Sequence, residues 1–287
     1  MEDVFELQDK VAASVAGAIE PTLQAAETAR SVHRPTNDLT AYDFYLRALP
    51  LVQRYSRDAF HEAAKLLELA VTRDPRYGPA LAFASICYMR MAVDGWAEDP
   101  HASREKAIAF AQRALGAAGD DPAVLANAAY TLAYFGEDIS AMLALVDRAL
   151  ALNPSYARGW YVSAILDLIG SEPDRAIKHI EMSLRLSPRD YLGVPTMIVG
   201  LAHLLSRRFE LAAQNFRLAQ RQAPDWPSSY RFLAACYALL GRLDEAGALI
   251  DQLHAVGLPI APRQAFPHRQ LHELLLSGLR LAAGEAI

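Results

Sequence analysis

Ser228-Ser229-Tyr230-Arg231-Phe232-Leu233-Ala234-Ala235-Cys236-Tyr237-Ala238-Leu239-Leu240-Gly241-Arg242-Leu243-Asp244-Glu245-Ala246-Gly247-Ala248-Leu249-Ile250 is the stretch that decides the fold. Tyr230, Leu233, Ala234 and Tyr237 recur at three- and four-residue steps, as on one face of a helix. Gly241 interrupts that face, and Ala246 and Ile250 resume it four residues apart. The pattern predicts two antiparallel helices joined at Gly241. Small Ala234 and Ala246 let the backbones approach, and Tyr230, Tyr237 and Ile250 fill the space around them. Pro259 follows where the second helix must stop.

One hairpin cannot bury its own apolar face, so others must stack on it. Upstream, Gly200 supplies the small residue of a first helix, and Ala212, Phe216, Ala219 and Pro224 give a second. Trp160 and Ala164 open an earlier unit that closes with Ala176, Ile180 and Pro188. The closing prolines Pro154, Pro188, Pro224 and Pro259 are spaced by 34, 36 and 35 residues. The stretch resembles the tetratricopeptide repeat, in which W-x2-L-G-x2-Y, A-x3-F and a final Pro recur every 34 residues. The resemblance implies an all-α, right-handed superhelical solenoid of about six hairpins.

The composition fits that reading. Of 287 residues 53% are hydrophobic, and Ala and Leu dominate. Net charge is −5 and the pI about 5.9, with no Lys/Arg cluster, so no nucleic-acid partner is expected. Cys87 and Cys236 sit among apolar neighbours on first helices and read as reduced, buried thiols of a cytoplasmic protein. The Met-Glu-Asp-Val start has no signal-peptide core, and no run of about 18 apolar residues would cross a membrane.

In chain order, Val4, Leu7, Val11, Val15, Ile19 and Leu23 form one apolar stripe, so 1–38 reads as an N-terminal helix and linker, and 39–287 as the solenoid. The stripe is expected to dock on the first hairpin, around Phe44, Leu51 and Leu66, or to pair with its copy in a homodimer. Pro50 should kink the first helix of that hairpin. The next unit, Pro75 to Pro122, is 13 residues over length, which places a long turn with Trp96 at Val93–His101; it is read as covering the hairpin end or as a binding loop. Leu125 to Pro154 is a shortened unit with Gly136 in its turn, and Arg269–Ala283, rich in leucine, is a terminal capping helix.

Two flanking stretches resemble a more specific architecture. They are Asp3-Val4-Phe5-Glu6-Leu7-Gln8-Asp9 with Val15-Ala16-Gly17-Ala18-Ile19-Glu20-Pro21, and Arg34-Pro35-Thr36-Asn37-Asp38-Leu39-Thr40-Ala41-Tyr42-Asp43. They are similar to the join between a TolB-like domain and a tetratricopeptide array in large bacterial proteins. Those proteins carry a class III adenylate/guanylate cyclase or a winged-helix domain at the N-terminus. Ser277-Gly278-Leu279-Arg280-Leu281-Ala282-Ala283-Gly284 resembles their C-termini. The resemblance implies a C-terminal arm without the catalytic domain, so no cyclase residue carries over.

The chemistry-bearing motifs are sparse. There is no G-x-G-x-x-G, Walker-type loop or H-E-x-x-H. His268 and His272 share a helical face, but no third ligand follows, and they read as exposed surface histidines. No catalytic, metal or cofactor residue is assigned. The remaining candidate is the concave groove lined by first helices. One-turn spacing places Ala82, Ile86 and Met89 there in the stretched unit, and Arg158, Tyr161 and Ile165 in the Trp160 unit. Val194, Met197 and Leu201 follow, then Ser228 and Arg231. This face is more apolar than basic. It suits an amphipathic helix, a peptide or a neighbouring cyclase or regulator domain. The same side chains could instead pack between adjacent first helices. The competing readings are an enzyme with a groove active site and a remnant without a partner of its own.

Overall fold

A computed structural model describes residues 41–188, 194–255, 257–262 and 266–284. The N-terminal stripe and its proposed pairings lie outside these residues. Thirteen helices occur among the described residues, and no strand. Twelve form six antiparallel hairpins. These are α1 (Ala41–Gln53) with α2 (Arg57–Arg73), α3 (Gly78–Asp94) with α4 (Pro100–Ala118), and α5 (Pro122–Tyr134) with α6 (Ile139–Leu152). Then come α7 (Ala157–Ile169) with α8 (Pro173–Leu186), α9 (Val194–Leu205) with α10 (Phe209–Gln222), and α11 (Pro227–Leu239) with α12 (Leu243–Ala255). The last helix is α13 (Arg269–Ala282). Each second helix packs on the first helix of the next hairpin, which makes the stack a tetratricopeptide-type solenoid.

Prolines bracket the helices as their lost N–H requires. Pro100, Pro122, Pro173 and Pro227 open helices, where the missing donor costs nothing. Asp99, Asp121 and Asp138 cap helix starts by accepting backbone N–H bonds. Pro154, Pro188 and Pro224 each lie two residues beyond a second helix. Pro50 lies within α1, which ends three residues later.

All six hairpin turns place one residue in the left-handed region: Tyr55, Gly95, Gly136, Ser171, Arg207 and Gly241, with φ from +49° to +98°. After five of them the next N–H bonds back five residues: Trp96 to Met91, Glu137 to Leu132, Glu172 to Asp167, Arg208 to His203 and Arg242 to Tyr237, at 2.8–3.1 Å. This satisfies the last carbonyls of each first helix.

First helices after α1 are buried over most of their surface, whereas α1 buries four of 13 residues. In α11 ten of 13 residues are buried, and in α7 nine of 13. Second helices bury one stripe, four of 14 residues in α8. The small residues sit at close approaches. Ala212 and Ala246 are fully buried, and a Cβ on Gly200 would stand 2.5 Å from the Phe216 ring.

The stretched second hairpin differs from expectation. Its extra residues lengthen the helices, to 17 in α3 and 19 in α4, instead of forming a long turn. Trp96 is buried, its ring 5.4 Å from Phe60 and 6.0 Å from Tyr55. It covers the end of the first hairpin.

Candidate functional site: a self-occupied inner face

The inner face of the stack is built from first helices, and it is filled by the chain itself in two ways. At one end, α3 meets α11. Arg90 and Asp94, one turn apart on α3, form a buried bidentate ion pair, with Nη2 at 2.7 Å from Oδ2 and 2.9 Å from Oδ1, and Nε at 3.1 Å from Oδ2. Across the face, Trp226 Nε1 and Ser228 Oγ donate to Asp94 Oδ1 at 3.4 and 3.3 Å. The Trp226 ring packs on Tyr55, with centroids 4.5 Å apart, and Arg90 lies 5.3 Å from the Tyr55 centroid. Burial disfavours the Arg90 charge and is the largest single influence, but Asp94 together with the Tyr55, Tyr130 and Tyr134 hydroxyls outweighs it and raises the Arg90 pKa. The second hairpin is thereby clasped to the sixth.

Arg158 and Tyr161 lie beside this clasp. Arg158 donates to Asn127 Oδ1 at 2.9 Å and stacks 5.1 Å from the Tyr161 centroid. Ile86, Met89, Tyr161 and Ile165 are buried in one continuous cluster, while Ala82 is buried in the neighbouring cluster of the first two hairpins.

At the other end the C-terminal segment turns back across the inner face. Arg231 donates to the carbonyls of Pro259 and Ile260 at 3.0–3.3 Å. Phe266 packs edge-on against Tyr134 and Phe232. Then α13 runs along α11, touching α9 and α12 to a lesser extent. Its Leu271, Leu275 and Leu279 are buried in the same cluster as Met197 and Leu201. Gly278 permits this approach: a Cβ there would stand 2.6 Å from the Ala235 carbonyl oxygen.

His268 and His272 were expected on the surface, and the structure corrects this. His268 is buried and caps α13, its Nδ1 accepting from the Leu271 N–H at 3.2 Å. Its Nε2 lies 2.8 Å from Ser171 Oγ, in the turn between α7 and α8. Burial lowers its pKa, because the charged ring would lose solvation. His272 is half-buried, and its Nδ1 accepts from the Phe266 N–H at 3.3 Å.

The sequence-predicted residues lie on first helices and are spread along the stack. Ser228 joins the clasp, Arg231 holds the returning segment, and Met197 and Leu201 lie in the core that α13 completes. Sequence reasoning missed Arg90 and Asp94, although a charged pair one turn apart on an otherwise apolar helix was a readable signal.

One set of side chains has the residue types of a hydrolase. Asp167, wholly buried on α7, pairs with His179 Nδ1 at 2.6 Å and accepts from Arg175 Nε at 2.6 Å. Ser163 Oγ lies 3.1 Å from the same Nδ1. A relay needs the serine on one ring nitrogen and the carboxylate on the other. Here both share one, so the group is an ion pair tying α7 to α8. Both cysteines are free and buried, and burial raises both thiol pKa values. Among the described residues no three His, Cys, Asp or Glu side chains converge to hold a metal, and no helix is long and apolar enough to cross a membrane.

No family model matches the chain. A putative adenylate cyclase 3 from Rhizobium meliloti is 28% identical over 133 residues, 46% of this chain and 22% of that protein. The match thus spans about a fifth of the length of the curated relative. Among solved structures, a human IFIT1 dimer with m7Gppp-AAAA superposes with a TM-score of 0.63 at 14% identity, covering 80% of this chain and 54% of its own. PilW, a type IV pilus biogenesis factor, superposes with a TM-score of 0.51 at 17% identity, covering 82% and 98%. At these identities the likeness is one of fold.

Proposed function

We propose that the chain is a non-catalytic interaction arm whose inner face receives protein, specifically an amphipathic helix. The observation that carries this is α13, an amphipathic helix already seated on α11 by three leucines and a glycine. The guanidinium groups of Arg90, Arg158 and Arg231 on the inner face are bonded to a carboxylate, an amide oxygen and two backbone carbonyls. That supports a protein partner over a phosphate-rich one such as RNA. The partial match to a putative adenylate cyclase, with the flanking stretches above, supports a place in cyclic-nucleotide or transcriptional signalling, as the regulatory arm of such a protein.

The test is residue-resolved cross-linking of the purified chain to partners captured from its source cells. Cross-links should fall on α9, α11 and the segment after α12. Cross-links confined to the second-helix face would overturn the reading. The isolated chain is also expected to make no cyclic nucleotide from ATP or GTP with Mg or Mn; turnover above a boiled control would reinstate an enzyme.

A further inference from the structure

The last helix lies along α11 instead of stacking on α12, and it is buried along one stripe, like a second helix. Only Leu271, Leu275, Gly278 and Leu279 of its 14 residues are buried, against ten of 13 in α11. Arg269, Gln270, Glu273 and Arg280 point to solvent. Among the described residues its contacts with the stack are an apolar stripe along α11, lesser contacts with α9 and α12, and a polar fastening of His268 to Ser171, which spans 97 residues of sequence. Ser171 stands at φ +67°, where three of the equivalent turns use Gly95, Gly136 and Gly241 and two use Tyr55 and Arg207. The serine holds a conformation that glycine adopts more cheaply, and its hydroxyl fastens α13.

We propose that α13 is a displaceable plug. It holds the groove for an amphipathic helix of another protein, with leucines at steps of four and eight and a small residue at the seventh step. This rests on the proposed function above, and it adds a gate and a pattern. The chemistry of the absent partner is read from the occupant. The α11 surface accepts branched apolar side chains at one-turn spacing, and Ala235 admits a residue without Cβ. The plug competes through its tether. A covalently attached helix faces the groove at an effective concentration in the millimolar range, so a free helix binds weakly until the fastening is cut. Cutting it raises the open fraction, and apparent affinity rises in proportion.

The probe is a fluorescein-labelled peptide copying Pro267–Gly284, titrated into the full chain and followed by anisotropy. The chain is used as wild type, as Ser171→Gly and as His268→Ala. Ser171→Gly removes the fastening while relieving the left-handed turn, so it keeps the fold. We expect weak binding to wild type, binding tightened about tenfold or more by either substitution, and loss of binding when the peptide carries Gly278→Leu. Equal binding to all three chains would sink the plug while leaving the groove as a helix site. Binding to none, with the α13 amides of Ser171→Gly exchanging freely, would sink both the plug and the proposed function. A concentration-dependent dimer of Ser171→Gly that the peptide dissociates would make a second copy the occupant, and overturn the assignment to another protein.

Discussion

Replacing Asp94 with alanine tests the clasp that joins the second hairpin to the sixth. The substitution leaves the Arg90 guanidinium buried, its side chain only 7% exposed, without its counter-charge. It also takes the acceptor from Trp226 Nε1 and Ser228 Oγ. Breaking a buried ion pair from one side costs about 3–5 kcal/mol, chiefly from the stranded charge. The two bonds to Asp94 from α11 are long, and they add little. Each kcal/mol lowers the melting temperature of a domain this size by about 2–4 °C, so the expected fall is on the order of 10 °C. Thermal unfolding followed by circular dichroism measures that fall, and urea unfolding the free energy. The companion change, Arg90→Met with Asp94→Leu, removes both charges and keeps the volume. It should cost less than about 2 kcal/mol, since a buried pair and its apolar replacement are often equivalent. If Asp94→Ala loses less than about 1 kcal/mol, or if the double change is as harmful as the single one, the pair does not work as described.

Three further outcomes follow from the turns and from α13. Arg207→Gly should raise stability by about 0.5–1 kcal/mol, because an exposed arginine at φ +55° gives way to a residue without the Cβ penalty; a lower melting temperature would contradict this. Gly278→Ala should loosen α13 by about 1–3 kcal/mol although alanine favours helices, since the new Cβ meets backbone at Ala235; hydrogen exchange of the α13 amides reads it, and slower exchange would refute it. His268 accepts a bond at Nδ1 and is held below its ordinary pKa of about 6.5, so it binds a proton more readily when α13 is released. Its contribution is therefore present above about pH 6.5, and is lost as pH falls through the lower folded value. Protection of the α13 amides, taken relative to the intrinsic exchange rate at each pH, should fall on acidification over that window in wild type and much less in His268→Ala; an equal fall in both would remove His268 as the cause.

Much of the solenoid was legible because its signals are local. Proline after a second helix, alanine at a close approach and aromatic residues one turn apart each follow from the geometry of one hairpin. Turns were legible where glycine marks them, at Gly136 and Gly241. They were not at Tyr55, Ser171 and Arg207, where a side chain occupies the same left-handed conformation. The inner face was legible as a set of helix positions, but not as an occupied surface. Whether a terminal amphipathic helix lies at the end of a stack or folds back along it depends on residues distant in sequence, here Ala235 against Gly278 and Ser171 against His268. Gly278 in the middle of a leucine-rich helix was the available hint, since glycine there weakens a helix unless something approaches closely. The clasp was missed for the same reason: Trp226 and Asp94 meet across 132 residues.

That separation has a consequence during synthesis. The second hairpin can form as soon as α4 has left the ribosome, but the residues that cover its ion pair are made much later. At 5–20 residues per second, the 132 residues between Asp94 and Trp226 take roughly 7–26 s to make. For that interval Arg90 and Asp94 face water where Trp226 and Ser228 will later lie, and a charged pair is a suitable group to leave there. An apolar pair in its place would present nascent chains with a sticky patch throughout the same interval. The order of manufacture gives a reason for keeping two charges at a position where the finished protein could do without them.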